Sequence, residues 1–186
     1  MNITIETVKA GTGCSALRAA KWAPHIQKAC ETFFINTPER LAAFLSQIGH
    51  ESGRLVYVRE IWGATPAQVR YEGRKDLGNT EPGDGKRFSG RGLIQTTGRA
   101  NYAATTAGLR KILKNVPDFV ANPALLEEPE WAAMSSAWYW YSKGLNELAD
   151  TGDYRRITLR INGGTNGMED RLALWKNAKQ ALGVKP

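Results

Sequence analysis

The sequence predicts a mainly α-helical fold in which helices surround a cleft. Apolar residues recur at helical spacing in several segments, which start at a capping residue and end near a glycine. A polar, glycine-rich stretch at 61–88 interrupts these segments, and a long loop in a compact domain is usually functional or mobile. The 186 residues contain no internal repeat or linker, so we expect one domain with a substantial core.

A first helix is predicted from Ser15, which can act as its N-cap, to about Cys30. Pro24 would start or kink this helix. Its apolar face comprises Trp22, Ile26, Ala29 and Phe33. Along such a helix Cys14 and Cys30 would lie roughly 24 Å apart, far beyond the reach of a disulfide. Both cysteines are therefore predicted to be reduced.

A second helix is predicted to end near Glu51. Thr37 can cap its start and Pro38 suits its first turn. Its apolar face comprises Leu41, Phe44, Leu45 and Ile48. The negative end of the helix dipole disfavours the charged form of a carboxylate at this position. Glu51 is therefore suited to act as a general acid.

A second glutamate, Glu60, follows nine positions after Glu51. If the helix continued, the two carboxylates would lie on opposite faces and roughly 13 Å apart. Gly53 can take a positive φ, end the helix and let the chain turn back across a cleft. Two carboxylates that face each other across a cleft are the minimum apparatus for hydrolysis of a glycosidic bond.

The loop at 61–88 joins Glu60 to a segment rich in amides and hydroxyls. In this loop Trp62 and Tyr71 can either present flat faces to sugar rings or anchor a small core, and the sequence does not decide between these roles. Glycines at 83, 85, 90 and 92 allow tight turns and a close approach of the backbone to a ligand.

A third helix is predicted to start at Thr97 as N-cap and to end near Gly108. The segment 111–130, which is interrupted by prolines, is interpreted as a connector. The most hydrophobic helix is then expected in EWAAMSSAWYWYSKGL, ending at Gly144. Its buried face is expected to comprise Trp131, Met134, Ala137, Trp138 and Tyr141. At about sixteen residues this segment is too short to span a bilayer.

Two further helices complete the chain. Asp153 can cap a helix through YRRITLRI, and Asn162-Gly163-Gly164 then makes a turn. Asn166 is predicted to open the final helix, which Gly183 ends. Without further information, Asn162 would be interpreted as an ordinary turn residue.

Basic residues outnumber acidic ones by 25 to 18, which gives a formal net charge of +7. Such a surface favours polyanions, namely nucleic acid, an anionic membrane or an acidic cell-wall polymer. The basic residues are scattered, with no run of five and no recognised nucleic-acid motif, which argues against nucleic acid. The N-terminus lacks the pattern of a signal peptide, so we expect synthesis and retention in a cytoplasm.

No metal or other cofactor is predicted. The chain has two histidines, His25 and His50, and no second histidine follows His50-Glu51 at the spacing of a zinc protease. Cys14 and Cys30 also lack the spacing of metal ligands.

Several motifs in order resemble glycoside hydrolase family 19, and more closely its phage-endolysin branch than the plant chitinases. They are HES at 50–52, Glu60, YEGR at 71–74, DLGN at 76–79, GDG at 83–85, GRGLIQTTGRANY at 90–102 and INGGTNG at 161–167. The resemblance extends from about Trp22 to Leu182. It implies a two-lobed, lysozyme-like helical fold with a central substrate cleft. It also implies one catalytic domain over residues 1–186, without a separate wall-binding domain.

The resemblance assigns roles to individual residues. Glu51 matches the general acid and Glu60 the general base of an inverting mechanism, in which the carboxyls lie about 6.5–9.5 Å apart. Thr97 stands where the chitinases have a serine that helps hold the attacking water. The positions that match residues lining the sugar cleft are Gln95, Asn101, Tyr102 and Asn162.

Two positions near the C-terminus depart from the family pattern. Asn166 replaces a glutamate of the plant members, and Arg171 only loosely matches the arginine that pairs with it. These departures leave the fine substrate preference open, although Arg171 remains a candidate binding residue.

The implied function is hydrolysis of β-1,4 bonds between N-acetylmuramic acid and N-acetylglucosamine in peptidoglycan, leading to host lysis. The implied protein is a monomer made in the host cytoplasm, and either a holin or another release route lets it reach the wall in the periplasm. A chitinase with the same residues is one alternative. A non-catalytic protein that binds wall polymer or nucleic acid is the other.

Overall fold

The computed structural model describes residues 1–184 and is mainly α-helical, which confirms the predicted fold class. The α-helices in chain order are α1 (Ile5–Thr12), α2 (Ala16–Thr32), α3 (Pro38–Glu51), α4 (Pro66–Val69), α5 (Asp84–Arg87), α6 (Arg99–Arg110), α7 (Pro129–Ser142), α8 (Leu145–Asp150), α9 (Tyr154–Asn162) and α10 (Met168–Ala181). Short 3₁₀ turns occur at Lys75–Leu77 and Pro123–Glu127. Within residues 1–184 no helix combines the length and the apolar composition that a bilayer crossing requires.

Side-chain caps explain where several helices begin. Ser15, Thr37 and Asp153 each accept a hydrogen bond from the backbone N–H three residues further on, as the sequence predicted. Thr4 does the same for α1, a short helix that the sequence analysis did not predict. Pro24 lies inside α2 rather than at its start.

The larger lobe is a helical bundle built around α3. This helix packs against α1, α8 and α10, while α2 packs against α1 and α7. Every residue of α3 from Leu41 to Gly49 is buried. The crossing of α3 and α1 is so close at Gly49 that a Cβ atom there would lie 2.6 Å from the Cα of Thr12. Glycine is therefore required at this crossing.

The smaller lobe, residues 58–128, consists mostly of loops and short helices. Antiparallel β-bridges join Arg59 to Arg91 and Arg91 to Thr96. These bridges tie the segment that carries Glu60 to the turn at 91–96. The helix α6 packs against α7 of the larger lobe and connects the two parts of the molecule.

The predicted buried face of α7 is only partly correct. Met134 and Ala137 are buried, but Tyr141 is 46% exposed and Trp140, which was not expected in the core, is fully buried. The cause is that α2, α6, α8 and the 3₁₀ turn at 123–127 all pack against α7. A helix with neighbours on several sides has no single buried stripe, so the pattern of its sequence does not define one.

The predicted start of α6 is wrong. Thr97 does not cap the helix, because its hydroxyl donates to the carbonyl oxygen of Gln95. The helix begins at Arg99, after Gly98 with φ of 92°, and ends at Arg110, two residues beyond the predicted end. Glycine takes this backbone conformation without strain, so a side-chain cap is not needed to turn the chain into the helix.

The predicted start of the last helix is also displaced. The helix α10 begins at Met168, and the residue before it is Gly167 with φ of 69°, not Asn166. Its end agrees better with the sequence, since the last helical residue is Ala181 and Gly183 adopts φ of 69°. Both ends thus depend on glycines in the left-handed region.

Both cysteines are free and buried, as predicted. Cys14 precedes α2 and Cys30 lies in its last turn. Burial raises the pKa of the Cys30 thiol well above its ordinary value, so this side chain stays protonated at neutral pH.

We expect Gly49→Ala to lower the free energy of unfolding by about 1–3 kcal/mol, because the added methyl group must displace the backbone of α1. Urea denaturation measures this change. Gly63→Ala is the matched control, since no atom lies within 4 Å of the Cβ position at Gly63. Equal stability of the two variants would contradict a close crossing at Gly49.

Candidate active site

Glu51 is the last residue of α3, and a buried arginine holds its carboxylate. Its Oε1 accepts a hydrogen bond of 2.5 Å from Nη2 of Arg171, whose side chain is 1% exposed. Arg171 also donates to Oε1 of Gln47 and, at 3.2 Å, to the carbonyl oxygen of Asn166. The guanidinium therefore fixes Glu51 against the first residues of α10 and the turn before them.

The chain reverses directly after Glu51, as predicted at Gly53. Gly53, Arg54 and Leu55 have φ of 56°, 67° and 60°, so three consecutive residues are left-handed. Ser52 stabilises the reversal, since its hydroxyl donates to the carbonyl oxygen of Ile48 and accepts from the N–H of Leu55. Non-glycine residues in this conformation cost of order 1–3 kcal/mol each and are common at functional sites.

A second ionic network lies beside the first and also joins α3 to α10. Asp170 accepts hydrogen bonds of 3.0 and 2.5 Å from the guanidinium of Arg54, and its Oδ2 lies 2.6 Å from Nδ1 of His50. The His50 ring is in turn pressed against Gly167, where a Cβ atom would lie 2.2 Å from Cε1. The residues before and after Glu51 are thus anchored to the start of α10.

Glu60 is held by neutral donors of the smaller lobe. Its Oε2 accepts a hydrogen bond of 3.0 Å from the N–H of Gly90, and its Oε1 accepts one of 3.0 Å from Nε2 of Gln68. The hydroxyl of Tyr71 donates to the same Oε1 at 3.4 Å. Position 90 has no room for a side chain, because a Cβ atom would lie 2.5 Å from Oε1 of Gln95. These contacts orient the carboxylate without neutralising it.

The structure gives Tyr71 a contact that the sequence did not predict. The ring of Tyr71 lies 6.5 Å from that of Trp62, and both side chains are half-buried. Burial, together with the nearby charge of Glu60, raises the pKa of Tyr71. Tyr71 is therefore a neutral hydrogen-bond donor that supports Glu60, whereas Trp62 keeps part of its face open to solvent.

A pocket of about 410 Å³ separates α6 and α7 from the turn at 94–97. Three residues that the sequence analysis placed at the sugar cleft lie in its wall: Gln95, Thr97 and Asn101. Trp138 and Tyr139 of α7 and Ile161 of α9 complete an apolar and aromatic side. The combination of aromatic faces with amides and hydroxyls is suited to bind a polar ring with apolar faces.

Two observations relate this pocket to the glutamates. Burial, and to a lesser extent the charge of Glu51, raises the pKa of Tyr139, a residue of the pocket wall. At the other end, Oε1 of Gln95 is buried without a hydrogen-bond partner among residues 1–184 and lies against Gly90, which binds Glu60. An unpaired buried acceptor is costly, and such groups are usually satisfied by an ordered water molecule.

Comparison with known proteins identifies the family of the chain. A glycosyl hydrolase family 19 domain-containing protein of Haemophilus influenzae is 32% identical over 162 residues, which cover 73% of this chain and 76% of the relative. The chain belongs to glycosyl hydrolase family 19. An endochitinase of Arabidopsis thaliana is 34% identical over 152 residues, but these span only 49% of that protein. No family model matches the chain.

Solved structures of family 19 enzymes have the same fold as this family 19 chain. A bacterial family 19 chitinase superposes with a TM-score of 0.77 and 21% identity over 100% of this chain and 97% of the other. Chitinase C from Streptomyces griseus gives a TM-score of 0.75 and 22% identity, over 98% and 77%. These similarities confirm the lysozyme-like helical fold that the motifs implied.

One expected binding residue of this family 19 hydrolase does not line the pocket. Tyr102 is fully buried, and its hydroxyl donates to the carbonyl oxygen of Ser89 and accepts from Nη1 of Arg91. Burial raises the pKa of Tyr102 to about 12. The expectation of a direct sugar contact is therefore wrong for this side chain. Instead, the Tyr102 hydroxyl stabilises the segment at 89–91 through its hydrogen bonds with Ser89 and Arg91.

The three remaining predicted positions near the C-terminus have different places in the family 19 fold. Arg171 is buried against Glu51, so it positions the predicted acid rather than binding substrate as expected. Asn162 is exposed at the end of α9, beside the pocket residue Ile161. Asn166 is also exposed, and its backbone oxygen accepts a hydrogen bond from Arg171.

Sequence reasoning did not assign Gln68 and Gly90 to Glu60, nor Gln47 and Asp170 to the networks beside Glu51. A signal for Gln68 exists in the sequence, because Thr65 and Gln68 have the spacing of a capping box and form one at α4. The box directs the Gln68 carbonyl to Thr65 and leaves its amide N–H₂ group to donate to Glu60. Within residues 1–184 no cluster of three or more His, Cys, Asp or Glu side chains could hold a metal ion.

The network around Asp170 predicts a stability change in acid. The Arg54 guanidinium, with a smaller effect of His50, holds the pKa of Asp170 at about 2 against burial, which acts in the opposite direction. Because this pKa lies below the ordinary value of 3.8, the unfolded state binds more protons between the two values. The stabilisation by Asp170 is therefore complete above about pH 4 and is lost as the pH falls through about 2.

We expect Asp170→Asn to be less stable than the wild type at pH 7 and nearly equal to it near pH 2, as measured by urea denaturation across this range. Asp76→Asn is the control, because Asp76 pairs with Arg74 on the surface, where ion pairs contribute little. A constant difference between wild type and Asp170→Asn at every pH would contradict the assigned role of the charge.

Proposed function

We propose that this family 19 hydrolase is an endolysin that cleaves the β-1,4 bonds between N-acetylmuramic acid and N-acetylglucosamine in peptidoglycan. The observation that carries the proposal is a pair of glutamates, one in each lobe, that are held by different partners. Glu51 is bound by the guanidinium of Arg171, and Glu60 by the neutral donors of Gly90, Gln68 and Tyr71. Two carboxyl groups with distinct environments can divide the roles of acid and base, and we assign Glu51 the role of the acid from its match to the family motif.

In the proposed mechanism the bond is cleaved with inversion at the anomeric carbon. Glu51 protonates the leaving oxygen while Glu60 removes a proton from a water molecule on the opposite face of the sugar ring. Thr97, in the pocket wall, helps hold this water. The carboxyl groups are expected to lie about 6.5–9.5 Å apart, because the water must fit between them.

The charge of the chain supports peptidoglycan as the substrate. The formal net charge is +7, and peptidoglycan carries carboxylates on its peptides, whereas chitin is uncharged. A positive field raises the association rate with an anionic polymer and gives no such advantage with a neutral one. A nucleic-acid ligand is not part of the proposal, since the basic residues form no recognised binding motif.

The proposed biological setting is lysis of a host cell from inside. The protein would be made in the host cytoplasm, reach the wall in the periplasm with a holin as functional partner, and act there as a monomer. Neither a metal nor another cofactor has a part in the proposed reaction.

A chitinase is the second candidate function. Its support is that relatives from Arabidopsis thaliana are named endochitinases and that the similar solved structures are chitinases. The same two glutamates would serve both reactions, so the difference lies in the polymer. A non-catalytic binding protein, by contrast, would bind its polymer without releasing new reducing ends.

We expect Glu51→Gln and Glu60→Gln each to lower kcat by about 10²–10⁴-fold, the usual contribution of a general acid or base. The thermal midpoint of Glu60→Gln should stay near that of the wild type, whereas Glu51→Gln should also lower the midpoint, because the buried guanidinium of Arg171 loses its ionic partner. Reducing ends released from purified sacculi measure kcat. Glu39→Gln, an exposed glutamate in the first turn of α3, is the control and should keep full activity. Full activity in either test variant would remove that residue from the mechanism.

The substrate is identified by the ends that the enzyme creates. We expect digestion of purified sacculi, followed by borohydride reduction, to give muramitol ends, and Glu51→Gln to give none. Glucosaminitol ends would instead assign the cut to the other glycosidic bond. New ends from chitin oligomers but none from sacculi would establish the chitinase alternative.

A further inference from the structure

A second concave surface lies in the smaller lobe, outside the pocket at 94–105. It has a volume of about 460 Å³, and we call it the basic pocket. It is lined by Arg59, Gly83, Lys86, Arg87, Arg91, Pro123 and Ala124. Four of these seven residues are cationic and none is acidic, so the surface is suited to an anion.

Most of this positive charge is not neutralised. Arg91 pairs with Glu127 at 2.7 Å, and Arg59 lies 3.8 Å from the same carboxylate. Within residues 1–184 no carboxylate oxygen lies within 4.0 Å of a side-chain nitrogen of Lys86 or Arg87. One carboxylate thus faces four cations.

The acidic residues next to the basic pocket are engaged elsewhere. Glu72 accepts hydrogen bonds from the N–H groups of Gly83 and Gly85. Asp84 accepts two from the guanidinium of Arg99, at 2.7 and 2.6 Å. These carboxylates are therefore held by their own partners and are not available to Lys86, which makes no side-chain hydrogen bond within residues 1–184.

One of the cations is already fixed in place. Nη2 of Arg87 donates to the carbonyl oxygens of Val120 and Ala121, at 3.1 and 3.3 Å, and its guanidinium lies 5.4 Å from the centre of the Phe88 ring. The remaining N–H groups of this guanidinium are free to bind a ligand. A fixed guanidinium next to a mobile ammonium group suits a carboxylate, which accepts hydrogen bonds from both.

The basic pocket adjoins the segment that carries the proposed base. Arg59 precedes Glu60 in the chain, and Arg91 is both the bridge partner of Arg59 and the neighbour of Gly90, which binds Glu60. The bridged segments at 58–60 and 90–92 form a short two-stranded ribbon. Successive residues of an extended chain point to opposite faces, so Arg59 and Glu60 lie on opposite faces of this ribbon. The basic pocket is therefore on the face away from Glu60. Three residues of an extended peptide span roughly 10 Å, enough to pass the edge of a ribbon.

We propose that the basic pocket is a subsite for the carboxylates of the peptide stem that peptidoglycan carries beside the scissile bond. The inference rests on the proposed function, because chitin has no stem and no carboxylate. The proposal assigns part of the net positive charge of the chain to one site. A stem carboxylate bound there would hold the glycan in a fixed position relative to Glu60. A wall polymer that binds through phosphate is the competing source of negative charge.

The test compares soluble glycan fragments that carry free stem carboxylates with the same fragments after conversion of those carboxylates to methylamides. We expect Lys86→Glu to lower kcat/KM on the free carboxylates by about three- to tenfold, in the range of a partly exposed charge contact, and to leave the methylamides unchanged. The preference of the wild type for free carboxylates should fade at 1 M salt, where the screening length falls to about 3 Å.

Lys21→Glu is the matched control, since Lys21 is exposed on α2 and the change in net charge is the same. Equal effects of the two variants on free carboxylates would overturn the subsite while leaving the proposed function intact. Equal losses of Lys86→Glu on both kinds of fragment would also overturn it, as would inhibition by polyphosphate but not by acidic stem peptide. A wild type that cleaves neither kind of fragment would overturn the proposed function and the inference together.

Discussion

One buried guanidinium holds the predicted acid and the larger lobe together. Arg171 is 1% exposed, and an unpaired charge in such a place would cost several kcal/mol. Its partners come from α3, through Glu51 and Gln47, and from the turn before α10, through the carbonyl oxygen of Asn166. The charge is satisfied only when α10, which carries Arg171, is packed on α3 with the turn at Asn166 in place. The position of Glu51 therefore follows from a requirement of folding as much as from the needs of catalysis.

The two glutamates are held by different kinds of interaction. Glu51 has an ionic partner and stands at the end of a buried helix, whereas Glu60 receives neutral hydrogen bonds from the loops of the smaller lobe. The bridges between Arg59, Arg91 and the turn that follows bring Glu60 to the edge of its lobe. The separation of the carboxyl groups is then set by the packing of α6 on α7, which connects the lobes. The proposed inverting mechanism requires a gap between the carboxyl groups, because a water molecule must enter between acid and base.

Several features that depend only on neighbouring residues were predicted correctly from the sequence, although the helix starts at Thr97 and Asn166 were not. The caps at Ser15 and Thr37 and the chain reversal at Gly53 are of this kind, since each involves only a few consecutive residues. Burial is different, because it depends on which distant elements pack together. The sequence therefore suggested a sugar contact for Tyr102 and a binding role for Arg171, although both are buried. The motif at 90–102 correctly predicted that Gln95, Thr97 and Asn101 line a common pocket. These residues are close in sequence, on one turn and the helix after it, so their relative positions do not depend on distant packing.

The burial of α3 on every side also determines the order in which the protein opens. Backbone amides of a fully enclosed helix exchange their hydrogens with solvent only through global unfolding, whereas exposed loops exchange through small local openings. Residues 41–49 belong to the first class and most of the loop at 61–88 to the second. Gentle heating would thus loosen the surroundings of Glu60 while Glu51 stays in place. Inactivation would begin as a local and reversible event, well before the cooperative loss of the fold.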